Sequence, residues 1–527
     1  MSTERVALIS VSHKDGIVDF AQSLIRLGFR IYASDGTSKH LADSGIEAPL
    51  LSSLFNKESI SGQGVATLPR EVLAGLISGC LAATDVIEDT TQSMKLGIPY
   101  IDLVCVDFRP LTEVGDESRA YESVIRQIDA GGPSMVRSAV KGGRIVVCDP
   151  LDRQRVIDWL DSEEPSKGLF QELAAKAEFM VAQHCMASAT YLSKGEYTGL
   201  LGKRVATCAY GENPYQEPAH LFTFQEKGPF APGSFKVIAG TPRSYNNIAD
   251  IDRLLLTTSH AVATHVQNFT IGSSIAFIVK HGNACGGSMG EDSSDVLLKA
   301  VRGNERALMG GSAMVNFDIT EKHAGLLVGR RLDAIVAPGF ASEAVEMLQR
   351  KGDKCRFVVN QALAGRGATM DHATRFRNVR DGFATQPNYT FAPTLSDVSI
   401  EKYGTAAPRQ RDNMLLAWAI CATSNSNTIT LVKDGMLIGN GVGQQDRVGA
   451  AELAIKRARD AGHDVMGSVA CSDAFFPHPD GVEELIKAGV KAILTVSGSI
   501  RDQAIIDVCQ QNNIVLYMMK NRCFFGH

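Results

Sequence analysis

The chain opens with a short apolar strand, an amphipathic helix and a second strand, and this alternation constrains its fold more than any other feature. Residues 6–10 form the apolar run, a helical pattern covers residues 16–27, and residues 30–33 form the second run. Apolar positions recur in the helical segment at spacings of three and four, which keeps one face toward a core. The same alternation of strand and helix patterns returns near Ala48, Leu81, Tyr100 and Arg144. These patterns predict an α/β domain with a parallel sheet over roughly the first 150 residues.

The rest of the chain also alternates helical patterns with β-branched runs, so we predict a second α/β domain. A polar stretch at residues 161–168 precedes a long helical pattern at residues 170–193, and glycines follow. We therefore place the domain boundary there, with domains at residues 1–198 and 199–527. Strands are expected at residues 274–280, 334–337, 428–432, 492–496 and 514–518.

Length, charge and cysteine usage exclude several classes of protein. A chain of 527 residues exceeds what one hydrophobic core usually organises. The net charge of -5 argues against a nucleic-acid partner, so any bound phosphate is expected on a small molecule. Eleven cysteines, none in a Cys-x-x-Cys pair, indicate a reducing, cytoplasmic location rather than a disulfide framework or structural zinc. Neither a secretion signal nor a membrane span is visible.

Two polar segments of the first domain each follow a strand and open a helix. They are residues 10–16, with Ser12 and Lys14, and residues 34–38, with Ser34, Gly36 and Thr37. Backbone amides and hydroxyls at such positions can bind a phosphate. The same residue types are also preferred in caps and turns, so neither segment alone decides between the two interpretations.

An acid followed by two glycines ends a later helical pattern, at Asp129, Gly131 and Gly132, and Lys141 lies on the next one. A carboxylate beside exposed backbone amides suits amide or carbonyl chemistry. A glycine-capped helix end would give the same pattern.

The most specific motif of the second domain places Lys280 and His281 side by side at the end of an apolar strand. The polar loop that follows, residues 282–286, contains Asn283 and Cys285. A cation and an imidazole at a strand end are typical of a reactive site, although a lone histidine there is usually structural. The spacing of His281 and Cys285 resembles metal ligation, but the absence of a second pair nearby argues against zinc.

Three further clusters mix turn residues with groups that bind ligands. They are residues 210–214, residues 423–427 followed by 441–447, and residues 472–477. Each is compatible with a tight turn. Phe475 and Phe476, in the last cluster, are either core residues or a stacking platform for a heteroaromatic ring.

Taken in order, these segments resemble the family of bifunctional purine-synthesis enzymes that combine AICAR (aminoimidazole carboxamide ribotide) formyltransferase with IMP cyclohydrolase. The resemblance extends over essentially the whole chain. It is carried by residues 10–16, 34–37, 127–132, 210–214, 280–286, 337–339, 441–447, 472–477 and 497–499.

The resemblance implies an N-terminal domain like methylglyoxal synthase, which closes the purine ring. It also implies a C-terminal transformylase of two cytidine-deaminase-like halves, with sites formed across a homodimer. The implied formyl donor and co-substrate is 10-formyltetrahydrofolate, the acceptor is the 5-amino group of AICAR, and no metal is required.

The resemblance also implies roles for individual residues. His281 would take the proton of the attacking amine, and Lys280 would orient the imidazole and help protonate the departing folate nitrogen. Asn427 and Asp333 would bind polar edges of the reactants, Arg447 and Arg522 charged groups. Asp129 and Lys141 would serve the cyclohydrolase. The remaining expected substrate-binding residues are Ser12, Lys14, Ser34, Gly36, Thr37, Thr67, Gly131, Gly132, Tyr210, Gly310 and Phe475.

The chain departs from the family pattern at several of these places. A lysine of the cyclohydrolase motif is replaced by Ala66, and a tyrosine by Phe108. Because ring closure needs charge stabilisation as water leaves, we expect a weak or altered cyclohydrolase. In the second domain a phosphate-binding arginine is replaced by Ala209, and residues 307–311 depart from the family's loop.

Three functions therefore stay open at the level of sequence. The first is folate-dependent formylation of AICAR, with ring closure slow or performed elsewhere. The second is a divergent relative that formylates or cyclises a different amine or heterocycle. The third is a nucleotide-binding subunit without activity.

Overall fold

The chain divides into two compact units, residues 1–201 and residues 202–527. The computed structural model describes residues 5–55, 70–78, 95, 98–108, 111, 121–162, 167–224, 228–268 and 274–526. None of the helices in this described part of the chain is long and apolar enough to cross a membrane.

The N-terminal unit is built on a four-stranded parallel sheet with the order β2-β1-β3-β4. Its strands are β1 (Arg5–Ser10), β2 (Phe29–Ala33), β3 (Leu103–Val106) and β4 (Ile145–Val147). Its helices are α1 (Ile17–Arg26), α2 (Asp35–Asp43), α3 (Arg70–Ile77), α4 (Tyr121–Ile125), α5 (Gly131–Lys141), α6 (Arg153–Leu160) and α7 (Lys167–Leu192).

The burial of the first strand and helix explains why this sequence folds as the alternation predicts. All four residues at positions 6–9 are buried, as expected for a strand of a parallel sheet that is covered on both faces. Helix α1 buries Ile17, Phe20, Ala21 and Leu24, which are the positions at helical spacing. The loops after β1, β2 and β3 leave the sheet at its carboxyl edge, where parallel sheets bind ligands.

The C-terminal unit contains a mixed sheet of twelve strands in the order β15-β20-β19-β18-β16-β17-β9-β8-β10-β11-β12-β7. Two further antiparallel pairs, β5–β6 and β13–β14, stand outside that sheet. The first eight strands of this unit are β5 (Lys203–Thr207), β6 (His220–Thr223), β7 (Lys236–Ala239), β8 (Ser274–Lys280), β9 (Asn283–Gly290), β10 (Ser312–Val315), β11 (Ala334–Ala337) and β12 (Arg356–Val359). The later ones are β13 (Thr374–Val379), β14 (Gly382–Pro387), β15 (Glu401–Tyr403), β16 (Ile429–Lys433), β17 (Met436–Gly441), β18 (Val469–Ser472), β19 (Ala492–Val496) and β20 (Val515–Met519).

The C-terminal unit has two successive halves, and helices and strands follow one another in the same order in both. The first half has α8 (Tyr245–Gln267), α9 (Ser293–Arg302), α10 (Glu321–Leu327) and α11 (Ser342–Leu348). The second half has α12 (Pro408–Cys421), α13 (Arg447–Asp460), α14 (Asp480–Ala488) and α15 (Asp502–Gln511).

Each half consists of a helix, an antiparallel hairpin, a second helix and three parallel strands that are joined by two further helices. The hairpins are β8–β9 and β16–β17, and the third strand of each half, β10 or β18, pairs antiparallel with the first. The halves meet where β9 pairs with β17, at Ser288 and Met436. This internal repeat confirms the two-halved domain that the resemblance implied. Helix α12 lies in the core, with Trp418 fully buried.

Candidate functional sites

In the N-terminal unit, the loop after β1 is held by a buried aspartate that follows β3. Ser12 Oγ donates a hydrogen bond of 2.8 Å to Asp107 Oδ1, and the backbone amides of Ser12 and His13 also donate to this carboxylate. The guanidinium of Arg153, at the start of α6, lies 3.6 Å from Asp107 Oδ2. Sequence reasoning missed Asp107 and Arg153 as site residues. The available signal was position, because Asp107 follows the strand adjacent to β1 in a parallel sheet.

The predicted residues Lys14, Ser34 and Thr37 come together at the same edge of the sheet. Lys14 Nζ donates to Thr37 Oγ1 at 2.8 Å, and Ser34 Oγ donates to the same oxygen at 3.3 Å. Burial lowers the pKa of the Lys14 ammonium, and the carboxylate of Asp107 opposes this shift. Gly36 lies exposed in the first turn of α2. The arrangement offers an ammonium and helix-terminal amides to an anionic ligand.

A second cluster forms around Asp129 and the start of α5. The Gly132 amide donates to Asp129 Oδ1 at 2.9 Å, and the Asp129 amide donates to His184 Nε2 at 3.2 Å. The rings of Phe108 and His184 are 5.7 Å apart between centroids. His184, on α7, was not expected from the sequence. Because its Nε2 accepts a hydrogen bond, the neutral ring carries its proton on Nδ1, and burial lowers its pKa.

Of Lys141 and Thr67, which were also predicted for this site, the structure describes only Lys141. Gly131 is the first residue of α5 and Lys141 is its last, so they lie at opposite ends of the helix, about 15 Å apart along its axis. Thr67 and Ala66 lie outside the described residues. The cyclohydrolase roles of Asp129 and Lys141 stay predictions.

In the C-terminal unit, Lys280 and His281 lie at the tight turn between β8 and β9. Lys280 pairs with Asn283 across the turn, so His281 and Gly282 are its two central residues. Both have positive φ, 51° and 71°, which matches the twist that a two-residue hairpin requires. The His281 side chain is exposed.

Asp250, on α8, fixes this turn by accepting a hydrogen bond from its backbone. The Gly282 amide donates to Asp250 Oδ1 at 2.9 Å, and Ser312 Oγ lies 3.5 Å from Oδ2. Burial raises the pKa of Asp250, while the Gly282 hydrogen bond and nearby His281 oppose that shift. Sequence reasoning missed Asp250 because a single aspartate on a helix belongs to no motif.

Lys280 also reaches the loop that contains Gly310. Lys280 Nζ donates to the carbonyl of Met309. A Cβ added to Gly310 would lie 3.9 Å from both Lys280 Nζ and Asp333 Oδ2, so the structure brings these three predicted residues together. Asp333 is not free of partners, because its Oδ1 accepts a 3.2 Å hydrogen bond from Arg350.

Asn427 lies in a loop that is bonded directly to the Lys280 turn. Asn283 Oδ1 accepts from the Asn425 amide at 3.0 Å. Asn427 Nδ2 donates to the Gln444 carbonyl at 2.8 Å, and its Oδ1 accepts from Arg447 at 2.9 Å. The two halves of the domain are thus hydrogen-bonded to each other beside the Lys280 turn.

Arg447 is buried, and its guanidinium is paired with Asp473, which is fully buried. The contacts recorded for Arg447 are therefore internal, and its expected binding to a charged ligand group stays a prediction. Its evident role in this structure is to hold Asn427 in place.

The other predicted residues occupy separate places around the domain. The Tyr210 carbonyl accepts from the Tyr245 amide at the start of α8. Phe475 is 37% exposed, whereas Phe476 is 1% exposed, so only Phe475 is open to a ligand ring. The Arg522 guanidinium lies 4.8 Å from the centre of the Phe524 ring.

No group of three or more histidine, cysteine, aspartate or glutamate residues in the described ranges is arranged to hold a metal ion. The polar groups that converge around the Lys280 turn are an ammonium, an imidazole, amides and the carboxylates of Asp250 and Asp333. They suit the transfer of protons and the binding of polar heterocycles.

Comparison with known proteins shows which families and relatives the chain matches. A family model described as "AICARFT/IMPCHase bienzyme" matches residues 143–457, and a model of the "MGS-like domain" matches residues 16–134. The "Bifunctional purine biosynthesis protein PurH" of Oceanobacillus iheyensis is 34% identical, over 98% of this chain and 99% of the relative. The protein of that name from Bacillus cereus is 33% identical with the same coverage. The solved "Crystal structure of ForH" is 28% identical and covers 36% of this chain and 99% of its own, with a TM-score of 0.32.

Proposed function

The chain belongs to the AICARFT/IMPCHase bienzyme family, and on that premise we propose that it formylates the 5-amino group of AICAR in purine synthesis. The proposed donor is 10-formyltetrahydrofolate, used as a co-substrate without a metal. The observation that carries the proposal is the Lys280–His281 turn, held by Asp250 and bonded through Asn283 to the loop of Asn427.

The transfer needs a proton to move at two places. The amine nitrogen forms a bond to the formyl carbon and loses a proton, for which the exposed His281 imidazole is the acceptor. The bond between that carbon and the folate nitrogen then breaks, and this nitrogen gains a proton. Lys280, adjacent in the chain and fixed toward the Met309 carbonyl, is the proposed donor. Asn427, held by Arg447, would bind a polar edge of the reactants.

The test is substitution of His281 by alanine, followed by mixing enzyme, AICAR and 10-formyltetrahydrofolate in a single turnover. We expect formyl transfer to slow by about a hundredfold or more, the usual contribution of a general base. His372→Ala, at an exposed position, is the matched control and should transfer normally. An unchanged rate in His281→Ala would refute the assigned role.

We further propose that the N-terminal unit closes the purine ring weakly. In this reaction the carboxamide nitrogen attacks the formyl carbon and water leaves. Phe108, where the family pattern has tyrosine, brings a ring but no hydroxyl to the cluster of Asp129 and His184. A donor aimed at developing charge is worth a large factor in rate.

Restoring the hydroxyl tests this second proposal. With formylated AICAR as substrate, Phe108→Tyr should raise the rate of IMP formation by about tenfold or more. Phe524→Tyr, in the other unit, is the control and should leave that rate unchanged. Fast ring closure by the unsubstituted protein would show that the missing hydroxyl is not limiting.

Three further features complete the proposal, namely the cellular location, the oligomeric state and the domain boundary. We propose a cytoplasmic homodimer, with the domain boundary between residues 198 and 199, three residues before the division between the two compact units. Support comes from the scattered cysteines and the family membership. Sedimentation of the purified protein would test the dimer.

Departures at Ala209 and in the loop of Met309 favour a second candidate, a related amine or heterocycle as acceptor. Normal formylation of AICAR alone among its analogues would exclude it.

A further inference from the structure

A cavity of about 470 Å³ begins at Lys280 and His281 and runs between the two halves of the C-terminal domain. Its walls come from the start of β9, the loop after α9, strand β17 and helix α13. Arg306, of the loop, and Arg457, of the helix, are among the residues that line it. The roles proposed for the transfer reaction leave these two arginines unused.

Glycines on β9 and β17 let two helices pack directly against these strands. A Cβ at Gly286 of β9 would lie 2.0 Å from the Ala300 carbonyl, and one at Gly439 of β17 would lie 2.3 Å from the Ala454 carbonyl. Helices α9 and α13 therefore lie directly on the backbone of the two strands. That close packing brings Arg457 and the loop that follows α9 to the cavity between the halves.

The cavity carries an unbalanced positive charge. Three cationic side chains line it, from Lys280, Arg306 and Arg457, and none of the described residues that line it is aspartate or glutamate. Arg457 is half-buried and donates a 2.9 Å hydrogen bond to the Asn440 carbonyl. Its burial lowers its pKa, and its interaction with Cys285 opposes that shift.

Arg306 is exposed, and its side chain makes no hydrogen bond or ion pair within the described part of the chain. An arginine without a carboxylate partner retains the fork of donors that binds phosphate and carboxylate groups in a bidentate manner. Ala284, Leu437 and Val442 provide the apolar part of the lining. A ligand of mixed character, with an organic body and an anionic end, fits such a lining.

We propose that this cavity is an anion subsite of the transfer site, in which Arg306 and Arg457 bind a phosphate or carboxylate of a substrate whose reacting atoms lie at Lys280 and His281. The inference rests on the proposed formyl transfer. Two substrate groups share the required chemistry, namely the phosphate of the ribotide and the glutamyl carboxylates of the folate. A binding experiment can distinguish them.

The experiment measures equilibrium binding by calorimetry to Arg306→Met, Arg457→Met and the double variant. Arg459→Met, at an exposed position two residues along α13, is the matched control, and Arg457→Lys retains the charge. The probes are AICAR, its riboside without phosphate, 10-formyltetrahydrofolate, and the corresponding pteroate without glutamate. Thermal unfolding of each variant checks that it is folded, and Arg306→Met changes only an exposed side chain.

If Arg306 and Arg457 bind an anion, the variants should lose affinity only for the probes that carry that anion. If it binds the phosphate, both methionine variants should bind AICAR about tenfold or more weakly and the riboside as before. If it binds the glutamyl group, the same loss should appear for the folate and not for the pteroate. Arg457→Lys should recover part of the affinity.

Equal binding of all four probes by the variants and by Arg459→Met would overturn the subsite. Equal weakening of a probe and its uncharged partner would also overturn it, because the loss would then be structural. Binding is read without turnover, so a wild-type protein that binds its probes and transfers no formyl group would refute the proposed function and leave this result interpretable.

Discussion

The backbone amide of Gly282 donates a 2.9 Å hydrogen bond to Asp250 Oδ1, so a carboxylate on α8 holds the turn that presents Lys280 and His281. Asp250 is buried and 32 residues earlier in the chain. Its position makes the geometry of the proposed reactive pair depend on a helix that carries none of the predicted site residues.

Asp250→Ala should therefore slow formyl transfer more than it weakens binding. Loss of the carboxylate frees the turn, and a displaced base loses rate steeply. We expect kcat to fall by about tenfold or more with KM changed by less than about threefold. Asp250→Asn keeps an oxygen acceptor for the Gly282 amide and should recover most of the rate. Equal losses in both variants would assign the effect to charge rather than to positioning.

The buried ion pair between Arg447 and Asp473 predicts a large loss of stability when one partner is neutralised. Asp473→Asn leaves the Arg447 guanidinium buried without its counter-charge, which is expected to cost about 3 kcal/mol of unfolding free energy. Urea denaturation followed by fluorescence of the buried Trp418 measures it. The control is Asp434→Asn, which removes the exposed pair with Arg409 and should cost less than about 1 kcal/mol.

Two buried histidines on α8 predict that the C-terminal unit loses stability in mild acid. Burial lowers the pKa of His260 and of His265 to about 4, below the ordinary value of 6.5. The unfolded chain therefore binds more protons than the folded one between these values, and stability falls as the pH decreases through that window. Each histidine should contribute a loss of about 2 kcal/mol between pH 7 and pH 5.

His260→Phe tests this sign directly. Phenylalanine keeps a ring against Tyr389, whose centroid lies 5.7 Å from that of His260, and does not titrate. The loss of unfolding free energy between pH 7 and pH 5 should be smaller in this variant by about 2 kcal/mol. An identical pH dependence would mean that His260 is not the titrating group.

Gly132 is a position in the N-terminal cluster where a methyl group has no room. A Cβ there would lie 2.7 Å from Asp129 Oδ2 and 3.0 Å from the Phe108 ring. Gly132→Ala should displace one of them and lower the unfolding free energy by about 1–3 kcal/mol. Gly168→Ala, on α7 of the same unit, has nothing within 4 Å of the added Cβ and should be neutral or stabilising. Thermal unfolding of both variants compares the two positions.

Local sequence patterns predicted much of the fold because the spacing of apolar residues reflects which positions are buried. Strands at residues 274–280, 334–337 and 492–496 were predicted with the ends that β8, β11 and β19 have, and β20 begins one residue later than predicted. The long helix predicted at residues 170–193 is α7, Lys167–Leu192. The matches to the family model and to the PurH proteins confirm the resemblance that the ordered motifs indicated.

The sequence alone determined the α/β class, and it predicted a division into two domains and a reactive segment at Lys280 and His281, because apolar period and contiguous motifs are local properties. Only the tertiary structure decided which distant groups surround that segment. Asp107, His184 and Asp250 are single polar residues without a motif, and their partners lie 32 to 95 residues away in the chain. The parallel sheet and the packing of α7 and α8 bring them to those partners, because burying the apolar faces of these elements also orients the polar side chains that they carry.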